Sequence, residues 1–247
     1  MIPAADPARP TVGVIGGMGP AATWAFAEAV LAATPAASEQ DHLRLVVDAD
    51  PAIPDRNAAM AGDGPSPAPT LAAKGAALLE AGADLVCMPC VTAHAFAGEL
   101  RAAVGAAWVD AVEASADAVR AAAPDARRVG LIATTSTHRA GHVPAALARR
   151  GLAVVPAEAD EHAAWMDLIY AVKAGRHGEG ERAAARAWAA RSVAAGAEVL
   201  LAACTEVPLL LQDGDADVPV VSATEALAAA VVARAGARAG ARNDARP

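Results

Sequence analysis

The chain has 247 residues, enough for one large domain or two small ones, and it is 55% hydrophobic but only 3% aromatic. A core built mainly from Ala, Val and Leu indicates helices and short strands of the α/β class. The net charge of −8, with no basic stripe and no aromatic platform, argues against a nucleic-acid partner.

The chain has no apolar run of the roughly 18 residues that a membrane helix needs, and residues 1–10 contain Pro and Asp where a signal peptide needs an apolar core. We therefore expect a cytoplasmic protein with no membrane partner. Three cysteines are an odd, small number, which argues against a disulfide framework. Each thiol is therefore interpreted on its own.

Three pairs of short segments recur in the same order in the two halves of the chain. The pairs are residues 12–17 (VGVIGG) with 129–133 (VGLIA), 85–90 (LVCMPC) with 199–204 (VLLAAC), and 109–114 (VDAVEA) with 221–226 (VSATEA). The first pair predicts a strand, a tight turn and then a helix in each half. The repeat predicts an α/β protein with two similar domains, each a parallel sheet flanked by helices, related by pseudo-two-fold symmetry.

Cys90 and Cys204 end equivalent strands of the two halves, and reactive groups in open α/β sheets collect at the carboxyl ends of strands. Racemisation requires removal of an α-proton from one face and return of a proton to the other, which two opposed acid–base groups achieve. A thiol pKa of about 8.5 lets thiol and thiolate coexist near neutral pH after modest tuning. A buried cysteine is often only a small apolar residue, but the matched positions favour a catalytic pair. Cys87 has no counterpart, since Leu201 occupies the matching position, and we expect it in the core.

Hydroxyl groups follow both cysteines. Thr92 and Thr205 lie within two residues of them. Together with backbone N–H groups at the following helix starts, these hydroxyls are predicted to bind an α-carboxylate and to stabilise carbanion charge. His94 and Glu206, slightly further along the chain, are candidates for tuning the two thiols.

The chain resembles the aspartate/glutamate racemase family over nearly its whole length. The resemblance is carried by residues 13–23 (GVIGGMGPAAT), 88–94 (MPCVTAH), 131–137 (LIATTST) and 201–210 (LAACTEVPLL). It implies one α/β domain of residues 11–112 with a returning C-terminal helix, 224–240, and a second of residues 113–223, with the site between them. It further implies a homodimer that needs no cofactor or metal and racemises a small acidic amino acid, aspartate or glutamate.

The resemblance also implies roles for individual residues. Cys90 and Cys204 match the catalytic cysteines. Residues 53–56 (IPDR) resemble the loop whose arginine, here Arg56, grips the side-chain carboxylate of the substrate, and residues 170–173 (YAVK) resemble the helix that brings Lys173 to that carboxylate. The matching carboxylate-binding hydroxyl positions are Thr92, Thr135, Thr137 and Thr205. The remaining candidate binding residues are Met18, Val91, Ser136 and Glu206.

Two positions depart from the family pattern. The family usually has Asn directly after the first cysteine, where this chain has Val91, and often has Asp where this chain has Ser222. These departures keep two alternatives open: a diverged enzyme acting on another carboxylic acid, and a non-catalytic carboxylate-binding protein. Related maleate isomerases and arylmalonate decarboxylases use similar cysteine sites, but the decarboxylases need only one cysteine, so the pair argues against them.

A dinucleotide site is a further alternative. Residues 17–22 (GMGPAA) fit the pattern G-x-G-x-x-A between a strand and a helix, and Asp48 is available for a ribose. However, Pro20 stiffens the turn where a pyrophosphate would approach, and this interpretation leaves both cysteines without a role.

Two weaker patterns concern redox chemistry and metal binding. Cys87 and Cys90 have the C-x-x-C spacing, but Cys87 lies within the apolar strand rather than at a helix start. His138 and His142 have the spacing of a metal pair on a helix, but Gly141 interrupts that helix and no third ligand is evident nearby.

Overall fold

Two four-stranded parallel sheets organise the protein, as the repeated segments predict. The computed structural model describes residues 10–156 and 159–244. The strands of the first sheet are β1 (Thr11–Gly16), β2 (Arg44–Ala49), β3 (Leu85–Cys87) and β4 (Trp108–Val109). The strands of the second sheet are β5 (Arg128–Ile132), β6 (Ala153–Val154), β7 (Val199–Ala202) and β8 (Val220–Ser222). The prediction of the α/β class with two parallel sheets is therefore confirmed.

Helices connect the strands. The α-helices among the described residues are α1 (Pro20–Ala33), α2 (Arg56–Ala61), α3 (Ala68–Glu80), α4 (Gly98–Val104), α5 (Ala111–Ala122), α6 (Thr135–Ala140), α7 (His142–Ala148), α8 (Ala159–Lys173), α9 (Glu179–Ala194) and α10 (Ala223–Asp244). Short 3-10 helices span Glu39–Asp41, Thr92–Phe96, Gly105–Ala107 and Val207–Leu209. In the part of the chain that the structure describes, no helix has both the length and the apolar character needed to cross a membrane.

The chain divides into two compact units, one around each sheet. Among the described residues, one unit comprises residues 10–111 and 227–244, and the other comprises residues 112–156 and 159–226.

The two sheets share one strand order. It is β2-β1-β3-β4 in the first unit and β6-β5-β7-β8 in the second. In each sheet the chain moves from the starting strand to one side and then crosses to the other side. The direction of winding therefore reverses between β1 and β3, and again between β5 and β7. In open α/β sheets, ligands bind outside the carboxyl ends of the strands at such a reversal point.

Strand alternation divides the core of the first unit between the two faces of its sheet. Leu85 and Cys87 of β3 pack in an apolar cluster with Phe26 of α1 and Val231 of α10. Val86, between them, packs on the other face in a cluster that includes residues of α3 and α4. The position of each residue in β3 therefore determines which face its side chain reaches.

The core of the second unit is built around β7 and two helices. Leu200 and Ala202 of β7 share an apolar cluster with Trp165 of α8 and Trp188 of α9. The two indole rings are tilted with their centroids 5.5 Å apart. Buried aromatic side chains of this size each remove about 150–250 Å² of surface from water, which is among the largest amounts that a single residue buries. They anchor α8 and α9 on the sheet that carries Cys204.

Candidate active site

Cys90 lies just beyond the carboxyl end of β3, beside the reversal point of the first sheet. The residue is 7% exposed and packs in the apolar cluster that also contains Met18 and Ile53. Immediately afterwards the chain enters a 3-10 helix, in which the Ala93 N–H donates to the Cys90 carbonyl at 3.2 Å. The turn that follows the strand therefore begins at the cysteine itself.

The buried His94 ring connects Cys90 to the start of α5. Its Nδ1 lies 2.9 Å from the Cys90 carbonyl oxygen, and the Ala111 N–H donates to its Nε2 at 3.2 Å. The side chain of His94 has no exposed surface. The sequence suggested that His94 tunes the Cys90 thiol, whereas these hydrogen bonds join its ring to the main chain.

Cys204 occupies the equivalent place in the second unit, just beyond β7 and beside the reversal point of that sheet. The residue is 8% exposed. Its Sγ donates to Glu206 Oε2 at 2.9 Å, and the Thr205 hydroxyl donates to the same oxygen at 3.2 Å. Lys173 Nζ lies 3.6 Å from the other carboxylate oxygen, Oε1. The structure thus joins Cys204, Thr205 and Glu206 by hydrogen bonds and places Lys173 within ion-pair distance of the same carboxylate.

The environment of Cys204 favours its protonated form. Burial raises the pKa of the Cys204 thiol well above its ordinary value, and the adjacent Glu206 carboxylate raises it further by its charge and by accepting the thiol hydrogen bond. The Glu206 backbone N–H and the Lys173 ammonium oppose this shift. Cys204 is consequently a thiol at neutral pH.

The turn after β5 contains the next group of predicted residues. The Thr134 hydroxyl caps α6 by accepting the Thr137 N–H at 3.1 Å, and the two hydroxyl oxygens are 3.0 Å apart. Thr137 is fully buried, Ser136 is 9% exposed, and the Thr135 N–H donates to Met166 Sδ at 3.4 Å. The Thr137 hydroxyl therefore bonds within the turn. Sequence reasoning did not select Thr134, although a threonine before a short helix is a common capping signal.

Arg56 begins α2 in the loop after β2. The Asp55 carboxylate caps this helix by accepting the N–H groups of residues 57 and 58, both at 2.8 Å. Arg56 Nη1 donates to the Pro54 carbonyl at 3.1 Å and lies 3.4 Å from the Ile53 carbonyl. These contacts use one of the two terminal nitrogens of the guanidinium group, which has five N–H donors in all.

Met18, Val91 and Thr92 are buried in the first unit. Met18 lies in the apolar cluster of Cys90, and Val91 directly precedes the 3-10 helix Thr92–Phe96. The structure therefore places Met18 in contact range of the apolar surroundings of Cys90, while Val91 and Thr92 adjoin Cys90 along the chain.

Comparison with known proteins gives the family. The family model described as Asp/Glu/Hydantoin racemase matches residues 15–231. The chain belongs to this racemase family. The resemblance noted from the cysteine motifs is thereby confirmed.

Solved racemase structures are similar to this family member over most of its length. Picrophilus torridus aspartate racemase is 30% identical, with a TM-score of 0.81, covering 92% of this chain and 94% of that one. A putative Asp/Glu racemase from Yersinia pestis is 24% identical, with a TM-score of 0.77, covering 92% of this chain and 99% of that one. Glutamate racemase from Thermus thermophilus in complex with beta-chloro-D-alanine is 22% identical, with a TM-score of 0.63, covering 95% and 83%. The last two likenesses concern the fold.

In the glycine turn after β1, groups of the protein itself occupy the space and the hydrogen-bond donor that a bound dinucleotide would need. The Gly17 N–H donates to the Thr23 hydroxyl at 2.9 Å, and a Cβ on Gly17, whose φ is +91°, would overlap the Asp50 backbone. Asp48 pairs with Lys74 at 2.9 Å. The N–H and carboxylate groups that a dinucleotide would need are therefore engaged, which argues against that alternative.

Cys87 is a core residue, as expected. It packs on the face of the first sheet opposite to the cluster of Cys90, and burial raises the pKa of its thiol. A protonated thiol on the other face cannot serve as the partner that a C-x-x-C redox pair requires.

The ring of His138 packs against that of His162, whereas the sequence spacing had paired His138 with His142. Its ring contacts that of His162 edge-on, with centroids 4.4 Å apart, and Gly141 separates α6 from α7 before His142. Burial and the neighbouring His162 lower the pKa of His138 to about 4. Across residues 10–156 and 159–244, no three His, Cys, Asp or Glu side chains are grouped to hold a metal ion.

Proposed function

We propose that this protein is a cofactor-independent racemase of a small acidic amino acid, aspartate or glutamate, with Cys90 and Cys204 as its two acid–base groups. The observation that carries the proposal is the equivalent placement of the two cysteines, each beyond a carboxyl strand end at the reversal point of its own sheet. Both are free thiols. Membership of the racemase family and the likeness to an aspartate racemase support the substrate class.

The proton balance of the proposed reaction is simple. One cysteine, as thiolate, takes the α-proton and becomes a thiol, while the other thiol delivers its proton to the opposite face of the carbanion and becomes a thiolate. The raised pKa of Cys204 makes it the acid in the first turnover, with Cys90 as the base. In the reverse direction the Cys204 thiolate takes the α-proton and the Cys90 thiol delivers its own proton to the opposite face.

The proposed carboxylate-binding groups are of two kinds, neutral hydroxyls and positively charged side chains. The hydroxyls of Thr92, Thr135 and Thr205 supply neutral donors for the α-carboxylate, and Arg56 and Lys173 supply charge for the distal carboxylate. Lys173 Nζ lies 3.6 Å from Glu206 Oε1. In the proposal, the distal carboxylate of the bound substrate is a second negative group with which the Lys173 ammonium pairs.

The direct test is α-proton exchange without added cofactor. Incubation with L- or D-aspartate, and separately with L- or D-glutamate, in D₂O should replace the α-hydrogen by deuterium and approach a racemic mixture. Proton NMR follows the exchange and chiral chromatography follows the inversion. Absence of both with these acids and their close analogues would contradict the proposed reaction.

The environment of Cys204 predicts opposite effects of two substitutions on its reactivity. Glu206→Gln removes a negative charge that raises the Cys204 pKa, so more thiolate forms at a given pH and alkylation by iodoacetamide becomes faster. Lys173→Met removes a positive charge that lowers this pKa, so alkylation becomes slower. Peptide mass spectrometry between pH 7 and pH 10 measures each cysteine separately.

The Cys90 peptide in the same digests is the internal control for reagent and pH. A Glu206→Gln profile that is unchanged, or shifted to higher pH, would show that Glu206 does not govern the Cys204 proton.

Val91 provides a test of substrate identity. Its isopropyl group cannot hydrogen-bond, and a substrate polar group left without a partner there costs about 1–3 kcal/mol. If aspartate or glutamate is the substrate, Val91→Asn should raise kcat/KM by about tenfold or more, equivalent to about 1.4 kcal/mol. If the substrate is another carboxylic acid, the same change should leave aspartate turnover poor and reduce activity on that acid.

The two outcomes are separated by assaying a panel of dicarboxylic and arylaliphatic acids with both proteins. A neutral effect on every acid would place residue 91 away from the ligand. Thermal unfolding of the variant controls for the cost of a buried amide at this position, which is 5% exposed.

A further inference from the structure

We infer that His94 is a positioning residue: its neutral ring, protonated at Nδ1, bridges the Cys90 carbonyl and the Ala111 N–H and thereby fixes the main chain that carries the Cys90 thiol. Its effect on catalysis rests on the proposed function. The hydrogen-bonded bridge itself does not, and it is tested separately below.

The two partners determine the protonation of the ring. The Ala111 amide can only donate, so Nε2, which it contacts at 3.2 Å, must present its lone pair. A neutral imidazole with a bare Nε2 carries its proton on Nδ1, and Nδ1 faces the Cys90 carbonyl oxygen at 2.9 Å. The two contacts therefore specify one tautomer.

The nearby Asp110 carboxylate makes hydrogen bonds to other side chains. Asp110 Oδ1 is 3.8 Å from His94 Nε2, beyond hydrogen-bonding distance. Asp110 Oδ2 accepts from Trp108 Nε1 at 3.1 Å and from the Arg101 guanidinium. The Ala111 N–H, at the start of α5, is one of the amides that an α-helix leaves without an internal partner. His94 Nε2 thus caps α5 with an acceptor brought from another element.

The bridge restricts the orientation of the Cys90 peptide group. The Cys90 carbonyl accepts from both the His94 ring and the Ala93 N–H, so rotation of this peptide would break two hydrogen bonds. The ring has no exposed surface and lies 5.4 Å from the Trp108 ring between centroids. Because proton transfer is sensitive to displacements of about 1 Å, a constraint at this carbonyl acts directly on the position of the thiol.

Two conservative variants separate the halves of the bridge. The side-chain amide of His94→Asn can place its nitrogen near the original Nδ1 and keep the bond to Cys90, while it loses the acceptor for Ala111. The longer side chain of His94→Gln can place its oxygen near the original Nε2 and keep the bond from Ala111, while it loses the donor to Cys90. His94→Ala removes both. We expect kcat for aspartate or glutamate to fall about 100-fold in His94→Ala, with smaller losses in the two amide variants and KM changed less than about twofold.

Two readouts do not depend on activity. In the wild-type protein labelled with ¹⁵N-histidine, NMR at neutral pH should show His94 with a protonated Nδ1 and a bare Nε2, assigned by loss of the signals in His94→Asn. Alkylation of Cys90 by iodoacetamide should be about tenfold faster in His94→Ala and faster in His94→Gln, while Cys204 in the same protein is unchanged, since loosening is local. His42→Asn, near the start of β2, is the matched control and should match the wild type.

The outcomes are decisive in each case. A protonated Nε2, or a charged ring at neutral pH, would overturn the bridge, as would wild-type Cys90 alkylation in both His94→Ala and His94→Gln. If His94→Ala fails to fold, the Gln variant and the NMR measurement still decide. An intact bridge in a protein that racemises none of the tested acids would refute the proposed function and leave the positioning of Cys90 standing.

Discussion

Cys90→Ala and Cys204→Ala are each expected to lower kcat for racemisation of aspartate or glutamate by up to about 10⁴-fold, the range that a general acid or base contributes. Either change leaves one face of the substrate without its acid or base, so loss of one cysteine should be nearly as severe as loss of both. Chiral chromatography of the amino acid after prolonged incubation measures the residual inversion. A single variant with full racemisation would refute the two-cysteine mechanism.

Cys87→Ala is the matched control for this experiment. The residue is a third free thiol, buried in the same unit as Cys90 but packed on the other face of the sheet. We expect it to lower the free energy of unfolding by about 1 kcal/mol through lost packing and to leave kcat unchanged in the folded protein. A loss of activity as large as that of Cys90→Ala would instead point to a role for the C-x-x-C spacing.

Arg56→Ala is expected to raise KM for acidic substrates by about 10- to 100-fold, because losing a charge-assisted hydrogen bond costs about 1.5–3 kcal/mol. Initial-rate kinetics with aspartate and glutamate measure the change. Lys173 serves the same carboxylate in the proposal, but it also faces Glu206, so its removal alters the Cys204 proton as well. Arg56 is therefore the cleaner probe of substrate binding.

Two further variants sharpen the Arg56 test. Arg56→Lys keeps the charge but loses the planar pair of donors, so it should recover only part of the affinity if the contact is bidentate. Arg182→Ala, at an exposed position on α9, controls for loss of a positive charge and should leave KM unchanged. Wild-type kinetics in Arg56→Ala would place this arginine outside the site.

Local patterns in the sequence were sufficient to predict both sheets. Residues 12–17 and 129–133 correspond closely to β1 and β5, because an apolar run closed by small turn residues has few structures available to it. Strand alternation likewise explains why Cys87 could be separated from Cys90 as a core residue. The repeat of these local patterns was enough to indicate two units of one architecture.

Some side-chain partners lay within reach of sequence reasoning and others did not. Glu206 is two residues from Cys204, close enough along the chain to be a candidate for tuning the thiol, and the structure places a hydrogen bond between Sγ and Oε2. The spacing of Thr134 and Thr137 is equally local, yet which hydroxyl caps the helix depends on where α6 begins.

The sequence by itself determined the α/β class, the repeated strands and the two cysteines that follow equivalent ones, since all of these are expressed in residues near one another along the chain. Only the tertiary structure decided that the Ala111 N–H meets His94 and that Lys173 meets Glu206. Those partners are distant in sequence, and their meeting depends on the register of strands and the packing of helices, which periodicity does not specify. For the same reason the protonation of Cys204 follows from burial and from a carboxylate and an ammonium group in space, not from its motif.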